Sequence, residues 1–277
     1  MRRFLILKTN MKENNQSIGI FDSGLGGLTV LKEMKKILPK ESFIYFGDIA
    51  HLPYGNKSKE SIFEYSNIIS QYLYSQKIKS LIVACNTASA IAYAKIYKQI
   101  PVPVFNVIDA SVEQAVQKTQ TESIGIIGTD VTVNSNAYQI KIHQINSNIN
   151  IIAKPCPLFV PLVEENLLNH KITYDIAEYY LEEIIKSNAD TLILGCTHYP
   201  LLYHAIKKTI GDKIHIINSS LLTAQKIKQV LFNQGLLKTK EKNVEDKFYV
   251  SDKPKQFNKL AKIFLNKPSL KVEKIIL

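Results

Sequence analysis

Leu81-Ile82-Val83-Ala84 is an uninterrupted apolar run that ends in Cys85-Asn86-Thr87, and the pattern returns as Leu192-Ile193-Leu194-Gly195 ending in Cys196-Thr197-His198. A short run without polar alternation suits a strand covered on both faces, which is how parallel sheets are built. Parallel strands need crossovers, and the sequence supplies them. Leu28, Leu31, Met34 and Leu38 fall at helical spacing after an apolar run at 18–21, and Ile62, Tyr65, Ile68, Ile69 and Tyr72 mark a second helix face. Further strands are predicted at 43–46, 102–107, 123–128, 149–153, 192–194, 214–217, 248–250 and 272–276. Strands alternating with helices give an α/β fold with mainly parallel sheets flanked by helices. Ile18-Gly19-Ile20 is echoed by Ile124-Gly125-Ile126, so both strand types occur twice, as two similar domains would produce. No Gly-, Pro- or Ser-rich linker parts the halves, which predicts domains packed closely together.

At 277 residues and 45% hydrophobic, the chain has the size of about two domains with sizeable cores. Three cysteines exclude a disulfide scaffold and fit a reducing compartment, so a cytoplasmic location is expected. No apolar run approaches the ~18 residues that span a bilayer, and no membrane partner is expected. The formal charge is +11, with lysines in marked excess from Lys226 onward, yet Arg2 and Arg3 are the only arginines. Base and phosphate recognition leans on the guanidinium fork, so nucleic acid is not the expected partner. A basic C-terminal region engaging nucleic acid remains the alternative from a different functional class. A carboxylate substrate would have to be held by hydroxyls, amides and backbone N–H groups.

The carboxyl ends of parallel strands are where α/β proteins bind ligands, which puts Cys85 and Cys196 at the functional edge of their sheets. Cys156, between Pro155 and Pro157, has no such neighbours and reads as structural. Two opposed thiols, one ionised and one not, can invert a carbon centre: one removes a proton from one face and the other supplies a proton to the opposite face. An ordinary thiol, with a pKa of about 8.5, is only slightly ionised at neutral pH and needs tuning by neighbours. Asp22 and His198 are the candidates. A cysteine nucleophile with His198 as base is the competing reading, but it leaves the second cysteine unused.

The turn Phe21-Asp22-Ser23-Gly24-Leu25-Gly26-Gly27-Leu28 has neither the dinucleotide nor the Gly-Lys-Ser/Thr pattern, and suits a carboxylate better. Asp48 therefore has no ribose to contact. His51-Leu52-Pro53-Tyr54-Gly55-Asn56 and the hydroxyl-rich 128–135 segment offer further donors. No Cys-x-x-Cys or His-Glu-x-x-His spacing supports a metal, and no lysine lies in a pyridoxal-phosphate motif, so neither metal nor cofactor is expected.

These residues resemble the glutamate racemases of the aspartate/glutamate racemase family. The carriers are Ile18-Gly19-Ile20-Phe21-Asp22-Ser23-Gly24, Gly47-Asp48 with Pro53-Tyr54-Gly55, Ala84-Cys85-Asn86-Thr87-Ala88-Ser89-Ala90, the stretch from Cys156-Pro157 to Val163-Glu164, and Gly195-Cys196-Thr197-His198-Tyr199-Pro200. Aspartate racemases usually have Glu where His198 stands. The resemblance implies that Cys85 handles the α-proton of D-glutamate and Cys196 that of L-glutamate, assisted by Asp22 and His198, with Asp48 and Glu164 in support. It implies substrate contacts from Asp22, Ser23, Tyr54, Gly55, Asn86, Thr87, Thr197 and His198, and from Thr129 and Thr132 near the side-chain carboxylate.

It also implies a discontinuous first domain (18–109 plus 219–277), a second domain (110–218), a site between them, a homodimer and a role in peptidoglycan synthesis. Residues 1–17 read as an N-terminal extension, in which Met11 is the expected start. Val107-Ile108-Asp109 and Asn218 depart from the family's usual Val-Ile-Glu-Pro and Asp. Because some members act on gyrase, the alternative reading extends to a binding protein that engages a topoisomerase.

Overall fold

The computed structural model describes residues 15–239, 245–265 and 270–277. The expected start at Met11 and parts of the lysine-rich C-terminal region lie outside them.

The first half of the chain runs β1 (Ile18–Asp22), α1 (Leu28–Ile37), β2 (Phe43–Gly47), α2 (Lys59–Ser75), β3 (Ser80–Val83), α3 (Asn86–Ile91), α4 (Tyr93–Gln99), β4 (Val104–Asn106) and α5 (Asp109–Lys118). The second runs β5 (Ser123–Gly128), α6 (Asp130–Asn134), α7 (Ala137–Ile145), β6 (Asn150–Pro155), α8 (Phe159–Glu164), α9 (Lys171–Lys186), β7 (Thr191–Gly195), α10 (Tyr203–Ile210) and β8 (His215–Ile217). The chain then returns through α11 (Ser219–Asn233) to β9 (Lys247–Val250), α12 (Pro254–Leu265) and β10 (Val272–Lys274).

Two wholly parallel sheets result, ordered β10-β9-β2-β1-β3-β4 and β6-β5-β7-β8. In each, the central strand is flanked on one side by the next strand in the chain and on the other by the third. The winding direction therefore reverses between β1 and β3, and again between β5 and β7. Such reversals open a crevice beyond the carboxyl ends of the strands. The pairs Phe21↔Val83 and Gly128↔Gly195 stand at those two crevices.

Both faces of each sheet are apolar, as the uninterrupted runs require. Ile18, Ile20 and Ile82 pack with Leu28, Leu31 and Leu231 on one side of the first sheet, while Phe21, Leu81 and Val83 pack with Ile62, Ile69 and Ile96 on the other. In the second sheet Ile127, Leu192 and Leu194 meet Leu181 and Ile184, and Ile124, Ile126 and Ile193 meet Val112 and Ile142. Each such fully buried aliphatic side chain contributes about 1.5–3 kcal/mol. The Ile-Gly-Ile echo has a packing cause. A Cβ on Gly19 would stand 2.7 Å from Ile78 Cδ1, and one on Gly125 would stand 2.9 Å from Ile184 Cγ2, so both centres are kept bare.

The element boundaries differ from the sequence reading where proline intervenes. Strand β4 begins only after Pro103, which has no N–H for a ladder, and β6 runs to Pro155 because it is an edge strand. Along α2 the buried stripe is Ile62, Ser66, Ile69, Ser70 and Leu73, leaving Ile68 exposed. Asn218 caps α11 by accepting from Leu221 N at 3.1 Å, a task its side-chain oxygen performs as an aspartate would.

The returning segment is fastened beneath the first sheet. Buried Lys79 and Glu41 pair at 2.6 Å, Lys79 Nζ donates to Leu236 O at 2.7 Å, and Lys238 N donates to Glu41 Oε1 at 2.9 Å. Burial holds the Lys79 ammonium below its usual range, against the opposing pull of Glu41.

Candidate active site

Each crevice delivers a cysteine. Cys85 lies two residues past the end of β3 and Cys196 directly follows β7, and both are buried. The two crevices face each other across one small cavity, lined from the first sheet by Ser23, Tyr54, Gly55, Cys85, Asn86 and Thr87. From the second come Thr129, Cys196, Thr197 and His198. Leu52, Pro53 and Val160 complete an apolar wall that the sequence reading did not assign to the site. About 10 Å³ is open to the centre of a water-sized sphere, room for roughly one water. An amino acid needs more room than that, so the walls of the cavity must move to admit one.

The remaining predicted residues stand one bond behind the wall. Asp22, fully buried at the end of β1, accepts from Gly24 N at 2.9 Å and from Thr197 Oγ1 at 3.1 Å, so it joins the first sheet to the second. Glu164, at the end of α8, meets His198 Nε2 at 2.7 Å. Asp48 accepts from Tyr54 OH at 2.6 Å and contacts His51 Nδ1 at 2.9 Å, fixing the loop that carries Gly55. Thr132 completes a triangle of hydroxyls with Thr87 and Thr129, with separations of 3.0, 3.1 and 2.9 Å. All the residues singled out from the sequence thus converge. Cys156 does not: its thiol contacts Lys154 O at 3.6 Å, its carbonyl accepts from Tyr199 OH, and burial pushes its thiol pKa far up.

Electrostatically the two cysteines are unlike. Burial, reinforced by the Asp22 carboxylate, pushes the Cys85 thiol up to about 12, so it rests protonated, 3.6 Å from Ser23 Oγ. Cys196 Sγ lies 3.8 Å from His198 Nδ1. Burial alone would lower the His198 pKa, but its bonds to Cys196 and Glu164 outweigh that and hold it well above the usual imidazole range. A protonated His198 beside the Cys196 sulfur stabilises negative charge there. The two thiols thus differ in their charged neighbours, a carboxylate beside Cys85 and an imidazolium beside Cys196. Among the described residues, no group of three or more His, Cys, Asp or Glu side chains is arranged to hold a metal ion.

The Asp/Glu/Hydantoin racemase family model matches residues 18–227. The chain belongs to that family. It is 48% identical over 244 residues to a glutamate racemase of Persephonella marina, covering 88% of this chain and 91% of the relative. It is 42% identical over 258 residues to one from Syntrophus aciditrophicus, covering 93% and 96%. Glutamate racemase from Francisella tularensis, solved in complex with D-glutamate, superposes with a TM-score of 0.89 at 39% identity, covering 95% of this chain and 98% of that one. Racemase family membership thus joins the two-cysteine cavity to a reaction that inverts a stereocentre. Among the described residues, no helix is long and apolar enough to cross a membrane.

Proposed function

We propose that this chain interconverts L- and D-glutamate by two-base proton transfer between Cys85 and Cys196. The carrying observation is the placement of two buried cysteines at matched strand ends on one cavity, each with a different electrostatic partner. The Cys196 thiolate, its charge balanced by the His198 imidazolium, takes the α-proton of L-glutamate. The Cys85 thiol then delivers its own proton to the opposite face, giving D-glutamate and a Cys85 thiolate. The reverse direction begins from that second state. The Cys85 thiolate, which burial makes more basic, suits the weakly acidic α-carbon of D-glutamate.

The substrate carboxylates are held without arginine, by Asn86, Thr87, Thr129, Thr197 and the backbone N–H groups of the 22–27 turn. Glu164 orients His198, Asp48 orients Tyr54, and Thr132 orients the two threonines it touches. The same reading divides the chain at 18–109 with 219–277 and at 110–218, because β9 and β10 return to the first sheet. It includes self-association as a homodimer in the cytoplasm and supply of D-glutamate for peptidoglycan.

The test is cofactor-free incubation with L-glutamate in heavy water, following optical rotation and α-deuterium together. Rotation falls as deuterium enters, and Cys85→Ala and Cys196→Ala each abolish racemisation in folded protein. Retained turnover in either alanine variant would overturn the two-base scheme.

A further inference from the structure

Tyr138, on α7, is a fully buried side chain that bridges both catalytic strand ends. Its hydroxyl donates to Asn86 Oδ1 at 2.6 Å, across from one half of the molecule to the other. Asn86 directly follows Cys85. The Tyr138 ring edge lies against Gly195, where an added Cβ would stand 3.2 Å from Tyr138 Cε2, and Gly195 directly precedes Cys196. No other tyrosine among the described residues is bonded to a cavity-lining side chain of the opposite half: Tyr54 bonds Asp48 within its own half, Tyr45 bonds Gly24 O and Tyr199 bonds Cys156 O.

An amide has two ends with opposite roles. With Oδ1 occupied by the tyrosine hydroxyl, the Asn86 Nδ2 group, which makes no hydrogen bond among the described residues, carries the free donors of a side chain lining the cavity. A carboxylate needs donors and is repelled by an amide oxygen. The hydroxyl therefore selects the amide orientation that attracts a substrate carboxylate. It does so only when the halves are together, because donor and acceptor belong to different halves.

We propose that Tyr138 is a positioning residue for the reaction: its hydroxyl locks Asn86 with Nδ2 toward the substrate carboxylate and does so only in the joined state. This builds on the glutamate racemase reading above. Burial and the nearby Cys196 sulfur both disfavour a tyrosinate, so the hydroxyl remains a donor throughout the working pH range.

The experiment compares wild type, Tyr138→Phe, Asn86→Ala and the double variant, measuring kcat and KM in both directions alongside the thermal midpoint. Removing one neutral hydrogen bond that matters to binding raises KM about 5–10-fold, with kcat altered less. Because the hydroxyl acts through Asn86, adding Tyr138→Phe to Asn86→Ala leaves KM at the Asn86→Ala value. A Tyr138→Phe enzyme with wild-type KM, or equal KM penalties with and without Asn86, overturns the proposal and leaves only a packing role. If Tyr138→Phe fails to fold, Asn86→Asp carries the test: the hydroxyl can still donate to it but no N–H faces the substrate, so KM rises at least as far as in Asn86→Ala. A lower rise overturns the orientation argument. Wild-type protein inactive on glutamate would instead refute the functional reading, an outcome distinct from all of these.

Discussion

Gly26 stands where the first half touches the second. A Cβ there would collide with Thr197 Oγ1, lie 2.7 Å from His198 Nδ1 and lie 2.9 Å from the Thr197 carbonyl carbon. The last of these is backbone and cannot swing aside. The Gly26 φ is not positive, since Gly211 and Gly235 are the glycines with positive φ among the described residues, so alanine carries no conformational penalty. Space alone decides its effect.

Relieving a 2.9 Å approach to an ordinary carbon contact near 3.8 Å means moving the turn and the Cys196–His198 segment apart by about 1 Å. Two outcomes follow from that movement. Forcing the joined state together costs about 1–3 kcal/mol, as other overpacked sites do, which lowers its population about 5–150-fold relative to the parted state. A shift of about 1 Å between reacting groups costs on the order of 100-fold in rate. Gly26→Ala is therefore expected to lower kcat/KM at least tenfold, read by circular dichroism of L-glutamate turnover. The thermal midpoint should change little, because parting relieves the clash without unfolding either half. A variant within twofold of wild-type kcat/KM would refute the claim that the joined geometry is the working one.

Three further expectations concern charge. Glu164→Gln removes one of the two bonds that raise the His198 pKa, so the alkaline limb of the pH–rate profile moves to lower pH; an unmoved limb would remove Glu164 from the proton machinery. Since folding raises that pKa, the stability it contributes is complete below the ordinary histidine value of about 6.5 and is lost as pH rises through the folded value. The stability gap between wild type and Glu164→Gln in urea should accordingly shrink toward alkaline pH. Lys79→Met strands the buried Glu41 and should cost about 3–5 kcal/mol in urea unfolding while leaving kcat intact below the midpoint; a loss under 1 kcal/mol would show that the pair is idle.

The cysteine pair was legible because two local signals coincided: an apolar run marks a parallel strand, and ligands gather at the carboxyl ends of such strands. Asp22 and His198 were legible for the same reason, each lying at or just beyond a strand end. Glu164 had no signal of its own, being the last residue of a short helix, and came only with the family resemblance. Tyr138 was invisible. Its bond to Asn86 spans 52 positions, and a tyrosine inside a helical apolar pattern reads as core until a buried partner for its hydroxyl is seen. Leu52, Pro53 and Val160 were missed because an apolar wall uses the same residues as a core. Strand β4 was drawn too long because the pattern reading gave insufficient weight to Pro103.

The unlike partners of the two cysteines, an anion beside Cys85 and a cation beside Cys196, have a thermodynamic corollary. The enantiomers of glutamate have equal free energy in water, so no protein can favour one at equilibrium. An asymmetric site acting on a symmetric equilibrium must therefore have equal kcat/KM in the two directions. Whatever the Asp22–His198 asymmetry does to the turnover of one enantiomer, it must do in proportion to that enantiomer's KM. The asymmetry can divide the binding energy differently between ground state and transition state in each direction, but it cannot make the enzyme run one way.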